Sequence, residues 1–428
     1  MKRWVLILWL CVILGTGAFF RLWRLGSNPP ALFRDEAEKG YTALCLARLG
    51  GYFYFDGPPG AMDLAFTKWP VFIDVMGVHT SAIYQYSAAP FVGLFGLNEW
   101  TTRLPAALAG ILTILAVFAL VRRWTGDEAG ALLSAFFLAV SPWHVLFSRW
   151  AQQGIFLPFL ITCALILLHK GIREREEYLA AVGFVFALAF YTYAVARLFI
   201  PLFVIILTII LWKELKPRRK WFYWGALAFT AISVPLLLFY MSGGRSERLS
   251  RIFLFGGGRT IAQSLHTLAS NYYAHFSPAF LFFRGDRELR HSLPGMGQMY
   301  FFEAPLLIYG LWHAVRRKDA WGRILTAWLI TYPVSAALTN EGIPHALRAI
   351  TGLPVVHIIT GTGAATLFKW LKPYNPEASS EPRPWYVVPA RSSALKYLQF
   401  LIIFIIIVNV VHMGRNLFIN YPSASAPN

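Results

Sequence analysis

The amino-acid sequence predicts an all-α polytopic membrane protein, and three observations carry that prediction. Of 428 residues, 57% are hydrophobic and only 14% are charged, where a soluble domain keeps about a quarter of its residues charged. The mean hydropathy is +0.52, and the excess sits in runs approaching the roughly 20 apolar residues that an α-helix needs to cross a bilayer. Third, short basic clusters separate those runs: Lys2-Arg3, Arg122-Arg123, Lys170 to Arg175, Lys213 to Lys220, Arg316 to Lys318 and Lys369 to Lys396. The balance of 39 Lys and Arg against 21 Asp and Glu, net +18, would suggest nucleic acid in a soluble chain. Between membrane spans it reads instead as the positive-inside signal, so membrane lipids, and no nucleic acid, are the expected surroundings.

Placing the clusters on the inner side yields about eleven spans. The first, 4–20, runs outward. It is followed by Arg21-Leu22-Trp23-Arg24 and not by a small-residue cleavage site, so it reads as an uncleaved anchor with the N-terminus inside. A long outer loop, 21–102, comes next. Within it Glu36 to Leu49 reads as a helix, and the aromatic run Tyr84 to Phe95 is too short to span, which suits a segment lying along the interface or re-entering. The second to fourth spans are 104–121, 129–146 and 155–169; the fifth and sixth, 178–193 and 198–212, flank an outer turn holding Arg197. The seventh, 221–240, opens onto a second long outer loop, 241–299. Spans 300–315, 321–338 and 349–368 follow, then an inner polar linker, 369–394, and a last span, 395–413, that leaves the C-terminus outside. The expected setting is the cytoplasmic membrane. No internal repeat suggests an inverted-repeat transporter. Cys11 and Cys163 fall within spans and Cys45 stands alone in a loop, so no disulfide framework is expected.

The chemistry is expected on the outer face. Asp35 and Glu36 stand side by side in Asn28-Pro29-Pro30-Ala31-Leu32-Phe33-Arg34-Asp35-Glu36-Ala37-Glu38-Lys39. Asp35 has two readings: an N-cap for the helix that follows, or a general base facing a lipid-borne substrate, with Glu36 beside it. The two acids could also ligate Mg²⁺ or Mn²⁺, though two oxygen donors fall short of a full coordination set. Cations converge on the same face. The second loop carries Arg284, Arg290 and His291 in a Gly-containing turn suited to a phosphate. His345 and Arg348 lie at i, i+3 in the turn 339–348, Arg197 lies at the same level, and Lys68 is a weaker candidate of the same kind. Each alone also reads as a solvated or snorkelling residue. A nucleotide donor has no evident home: Gly256-Gly257-Gly258-Arg259-Thr260 lacks the spacing and the Lys of a P-loop. The activated donor is therefore expected to arrive through the membrane.

Arg21-Leu22-Trp23-Arg24-Leu25 leading to Pro29-Pro30 and Asp35-Glu36-Ala37 resembles the first outer loop of GT-C fold glycosyltransferases. The nearest likeness is to the group of protein O-mannosyltransferases and lipid A aminoarabinose transferases. It continues through Ser81 to Gln85, Leu94-Phe95-Gly96, Thr102-Arg103-Leu104-Pro105, Ser141-Pro142-Trp143-His144 and Phe276 to Gln298, and covers most of residues 1 to 360. The resemblance implies an inverting transferase of a hexosyl or pentosyl unit. Its donor would be a polyprenyl-phosphate sugar and its acceptor a glycan, lipid or protein. The family's first-loop acid maps onto Asp35, with Glu36 as partner and outer-loop cations on the lipid phosphate. The rival classes are a transporter or flippase, which would favour ionisable groups and broken helices at mid-membrane, and a non-catalytic envelope-assembly partner. Here the ionisable residues gather at the ends of the spans, against the first rival.

Overall fold

A computed structural model describes residues 2–56, 63–75, 78–241, 253–255, 258–370 and 393–425. Helices occupy the eleven stretches expected from hydropathy. Six are long and apolar enough to cross a bilayer among the described residues, and the chain is a multi-pass membrane protein. In order, α1 is Arg3–Leu22, α2 Arg34–Leu49, α3 Ile83–Phe95, α4 Glu99–Thr125, α5 Glu128–Val140, α6 Pro142–Phe147, α7 Phe156–Arg173, α8 Tyr178–Thr192 and α9 Ala196–Ile210. The longer helices that follow are Arg219–Met241, Ile261–Ala274, Glu303–Arg316, Ala320–Thr331, Leu353–Trp370 and Ser393–Arg415, with short ones at Trp212–Leu215, Val334–Ala337 and Tyr421–Ser425. Much of the 369–394 linker, part of the second long loop and the start of its triple glycine lie outside the described residues.

Two spans are broken where the sequence holds proline. The third expected span splits at Ser141, between α5 and α6. A proline ring cannot donate to the helix ladder, and the freed groups are met from elsewhere: Tyr300 Oη donates to the Val140 carbonyl at 2.6 Å and Trp143 N–H donates to the Gln298 carbonyl at 3.3 Å. The ninth splits after Thr331 at Pro333. Both breaks lie toward the end of the bundle that carries α2, and they let loops 276–300 and 339–349 sink between the helices.

The first outer loop is more than its two helices. Both are present, α2 and α3, and they pack on one another and on α4. Between them lie two antiparallel hairpins that the helical reading passed over. In the first, Gly51–Asp56 (β1) pairs with Asp63–Lys68 (β2); in the second, Phe72–Val75 (β3) pairs with Val78–Ser81 (β4). The signal for β1 is the alternation Tyr52-Phe53-Tyr54. Tyr52 and Tyr54 share one face with rings 5.6 Å apart, while the Phe53 ring packs at a tilt on Phe66 at 4.9 Å across the strands. Asp74 N–H donates to Tyr52 Oη at 2.8 Å and ties the hairpins together.

The bundle has two distinct ends. One carries α2, the hairpins, Arg103 and loops 276–300 and 339–349. The other carries the basic turns at Arg122-Arg123, Lys170 to Arg175 and Lys213 to Lys220, cross-linked by pairs such as Arg123–Glu174 at 2.6 Å and Arg218–Glu176 at 3.7 Å. Ionisable groups are not confined to span ends: Glu303 and His357 face each other at 3.4 Å, both wholly buried, within the helices Glu303–Arg316 and Leu353–Trp370.

Candidate active site

The segment joining α1 to α2 has few backbone partners of its own, and arginines from α4 and from the turn after α6 supply them. Arg103, on the second turn of α4, is wholly buried and its five N–H groups find five acceptors. Nη1 donates to the carbonyls of Leu25 at 3.1 Å and Pro29 at 2.8 Å, and Nη2 to that of Ala31. Nε and Nη2 each reach one oxygen of Glu36 at 3.0 Å. Arg149, also wholly buried, donates to the carbonyls of Phe20, Arg24 and Asn28 at 2.9, 3.2 and 2.8 Å. Arg21 donates to Gly17, Ala139 and Leu138, and to His144 Nδ1 at 2.6 Å; since guanidinium only donates, that ring nitrogen is the acceptor. Gly40 lets α2 come this close, because a Cβ there would sit 2.7 Å from Thr102 Oγ1 and 2.8 Å from a Leu97 methyl.

The adjacent acids are thereby separated in role. Glu36 is 2% exposed. Besides Arg103, its Oε1 accepts from Ala151 N–H at 2.8 Å and its Oε2 from Phe33 N–H at 3.2 Å. The residue at the N-cap of α2 is therefore Phe33 and not Asp35, and the carboxylate that reaches back to the cap is Glu36. Glu36 is an anchor, with both oxygens engaged. Asp35, one residue back around the helix, is half exposed, and its charged neighbour is Arg34 at 3.8 Å, itself exposed. It lines an open depression with Phe33, Lys39, Trp150, Arg290 and His291.

Among the cations expected here, the structure brings Arg290 and His291 to Asp35 and leaves the others elsewhere. Arg290 lies over the Phe33 ring at 4.1 Å and 3.8 Å from Glu288. Arg348 is consumed inside its own loop, donating to Thr339 Oγ1 and the Glu341 carbonyl at 2.7 Å each, with the Glu341 carboxylate at 3.3 Å. Arg197 lies over Tyr240 at 4.4 Å, and neither it, Arg284 nor Lys68 lines the depression. Lys39 had escaped the sequence reading because a cation one turn into an acidic helix looks like an i, i+4 partner. It is 5% exposed, its ammonium donates to the Asp35 carbonyl at 3.3 Å, and it forms part of the wall. Burial pulls its pKa down against the raising effect of Glu38, Asp35 and Glu36.

Behind His291 lies a second cluster centred on Asp286. His291 Nδ1 is 3.0 Å from Asp286 Oδ2, which also accepts from Ala346 N–H at 2.8 Å, while Oδ1 accepts from Glu288 N–H at 3.0 Å. Burial would raise the Asp286 pKa, but the His291 bond and the two backbone donors outweigh it and hold the carboxyl low. His345 stacks on His291 at 4.7 Å and is driven well below the usual histidine range by burial and then by Arg348. His275, which accepts from His345 N–H at 3.1 Å, is brought down to about 4 by burial. The ligand atoms of Asp286, His291 and His345 all lie within 4.8 Å of one another. Two imidazoles and a carboxylate are a donor set suited to Zn²⁺ more than to Mg²⁺. At the acid pair, with Glu36 engaged, Asp35 alone offers free oxygen to a cation.

Comparison with known proteins agrees with this architecture. Residues 80–239 match the family model described as dolichyl-phosphate-mannose-protein mannosyltransferase. An uncharacterized protein of Aquifex aeolicus is 25% identical over 221 residues, 51% of this chain and 44% of that one. Among solved structures, ArnT from Cupriavidus metallidurans bound to undecaprenyl phosphate aligns with a TM-score of 0.55 at 16% identity, over 85% of this chain and 61% of ArnT. The archaeal oligosaccharyltransferase AglB from Archaeoglobus fulgidus, in complex with an inhibitory peptide and a dolichol-phosphate, aligns with a TM-score of 0.56 at 14% identity. That match covers 100% of this chain and 57% of AglB. The chain thus spans less than two thirds of each of these three proteins. It is a multi-pass membrane protein with the GT-C glycosyltransferase fold, and its residues 80–239 match the mannosyltransferase family model within that fold.

Proposed function

We propose that this protein is a glycosyltransferase that moves a hexosyl or pentosyl unit from a polyprenyl-phosphate lipid to an acceptor, with inversion, on the outer face of the cytoplasmic membrane. One observation carries the reading: of two adjacent carboxylates, one is buried against Arg103 while the other, with an exposed Arg34 at 3.8 Å, opens onto a depression lined by Lys39, Arg290 and His291. Asp35 takes the proton from the acceptor nucleophile as it attacks the anomeric carbon. The bond from that carbon to the phosphate oxygen breaks, and the charge left on the polyprenyl phosphate falls to Lys39 and Arg290. Glu36 and Arg103 act through position, since a base displaced by about 1 Å loses its line of attack. Phe33 and Trp150 offer apolar walls. The matched family description and the lipid phosphates bound by ArnT and AglB support this donor class. Incubating the purified full chain with radiolabelled polyprenyl-phosphate sugars and membrane extract tests it. Transfer abolished in Asp35→Asn but supported by the wild type is expected; near wild-type transfer by Asp35→Asn would remove Asp35 from the mechanism.

A further inference from the structure

A second apolar cavity lies at the opposite end of the bundle from Asp35. It is a groove of about 170 Å³ between α7, α8, α9 and the Arg219–Met241 helix, lined by Leu168, Phe186, Leu207, Phe222 and Phe229. Beside it the α8 and Arg219–Met241 backbones touch: a Cβ on Gly183 would lie 1.8 Å from the Gly225 carbonyl oxygen. The two helices are pinned at that crossing, and the groove lies around it.

The chemistry changes abruptly at the groove's end. Leu215, a lining residue, is flanked by Lys213 and Lys216, and Phe222 follows Lys220 by two residues. Residues 213–220 hold five cations (Lys213, Lys216, Arg218, Arg219, Lys220) against one acid, Glu214. Four of the five are exposed; Arg218 is half-buried, donating to the Glu214 carbonyl at 2.7 Å with Glu176 at 3.7 Å. Topology is served by any basic residues in this turn. It does not require an apolar groove opening beneath them.

We infer that this groove binds one anionic glycerophospholipid, its phosphate on the Lys213–Lys220 cluster and an acyl chain between α8, α9 and the Arg219–Met241 helix. Charge complementarity selects the occupant: basic pockets between membrane helices hold acidic headgroups, and a zwitterionic lipid gains little from them. The site is separate from the transfer chemistry and stands whether or not that reading holds.

Native mass spectrometry of the purified full chain with phosphatidylglycerol or phosphatidylcholine of identical acyl chains tests it. Phosphatidylglycerol should be retained about ten-fold better, with the preference fading as salt is raised. The triple variant K216Q/R219Q/K220Q should bring the ratio to one, and Ala226→Trp, at a lining residue, should lose both lipids. Glycerophosphoglycerol, which has no acyl chain, and inorganic phosphate should fail to displace the lipid. Equal retention of the two lipids by the wild type, or displacement by either small anion, would overturn the proposal; these readings need no variant to fold.

Discussion

The two ends of the helix bundle use the same residue type in opposite ways. At the end carrying Asp35, Arg21, Arg103 and Arg149 are wholly buried, and backbone carbonyls of the first loop and α5 are their principal acceptors. At the far end, Arg122, Arg123 and Arg175 are exposed and meet Glu128, Glu174 and Glu177 at 3.3, 2.6 and 3.5 Å. Buried guanidinium is costly to desolvate and stays only where its donors are met. Surface pairs contribute about 0–1 kcal/mol each and chiefly orient the chain in the bilayer. One set therefore holds a shape and the other marks a side. Asp35 is accurate in position because its neighbours in sequence, and not Asp35 itself, are tied down.

The sharpest way to break this contrast is at its free carboxylate. Asp35→Asn should lower sugar transfer by about 10²–10⁴-fold, the range for loss of a general base, while detergent-solubilised protein elutes and melts as the wild type does. A large fall in melting temperature would instead make Asp35 part of the scaffold. Next in size is the anchor. Arg103→Ala strands Glu36 and three carbonyls in a buried site and should cost about 3–5 kcal/mol, read by denaturant or thermal unfolding, with activity lost alongside. Lys39→Met and Arg290→Ala should each weaken the lipid donor by about 10-fold or more, the scale of a charge-assisted hydrogen bond, seen in KM more than in melting temperature.

A pH titration separates Lys39 from the far-end cations. Its folded pKa lies below the ordinary lysine value of 10.5 because of burial, so over that interval the unfolded chain binds more protons. Stability attributable to this group should therefore rise with pH between the folded value and 10.5. Lys39→Met should flatten that rise; an unchanged slope would show that the ammonium is not buried in solution. The smallest effect belongs to the far end: Arg123→Ala should change stability by no more than about 1 kcal/mol. A loss matching that of Arg103→Ala would erase the distinction between the ends.

Much of this was legible in the residues. Hydropathy placed helices at the eleven stretches because an apolar run of membrane length has one comfortable conformation. The sequence places Asp35-Glu36 and the cations Arg290 and His291 on one face, and the fold brings them to one depression. The hairpins at 51–81 were passed over because alternation in Tyr52-Phe53-Tyr54 is short and sits among apolar residues that also suit a helix. Arg348, Arg197 and Arg284 look equivalent to Arg290 in the sequence, and Lys68 a weaker candidate of the same kind, since nothing local separates a cation that meets Glu341 or Tyr240 from one that faces a cleft.

Burial of long apolar segments depends on composition alone, so class, helix positions and the basic turns could be read directly from residue order. The division of labour between two adjacent acids could not. It depends on Arg103, 67 positions from Glu36, and on the Ala151 N–H, 115 positions away, arriving at one carboxylate and missing its neighbour. Such long-range hydrogen bonds have no local signature. The fold alone assigned Glu36 to the frame and left Asp35 open to a substrate.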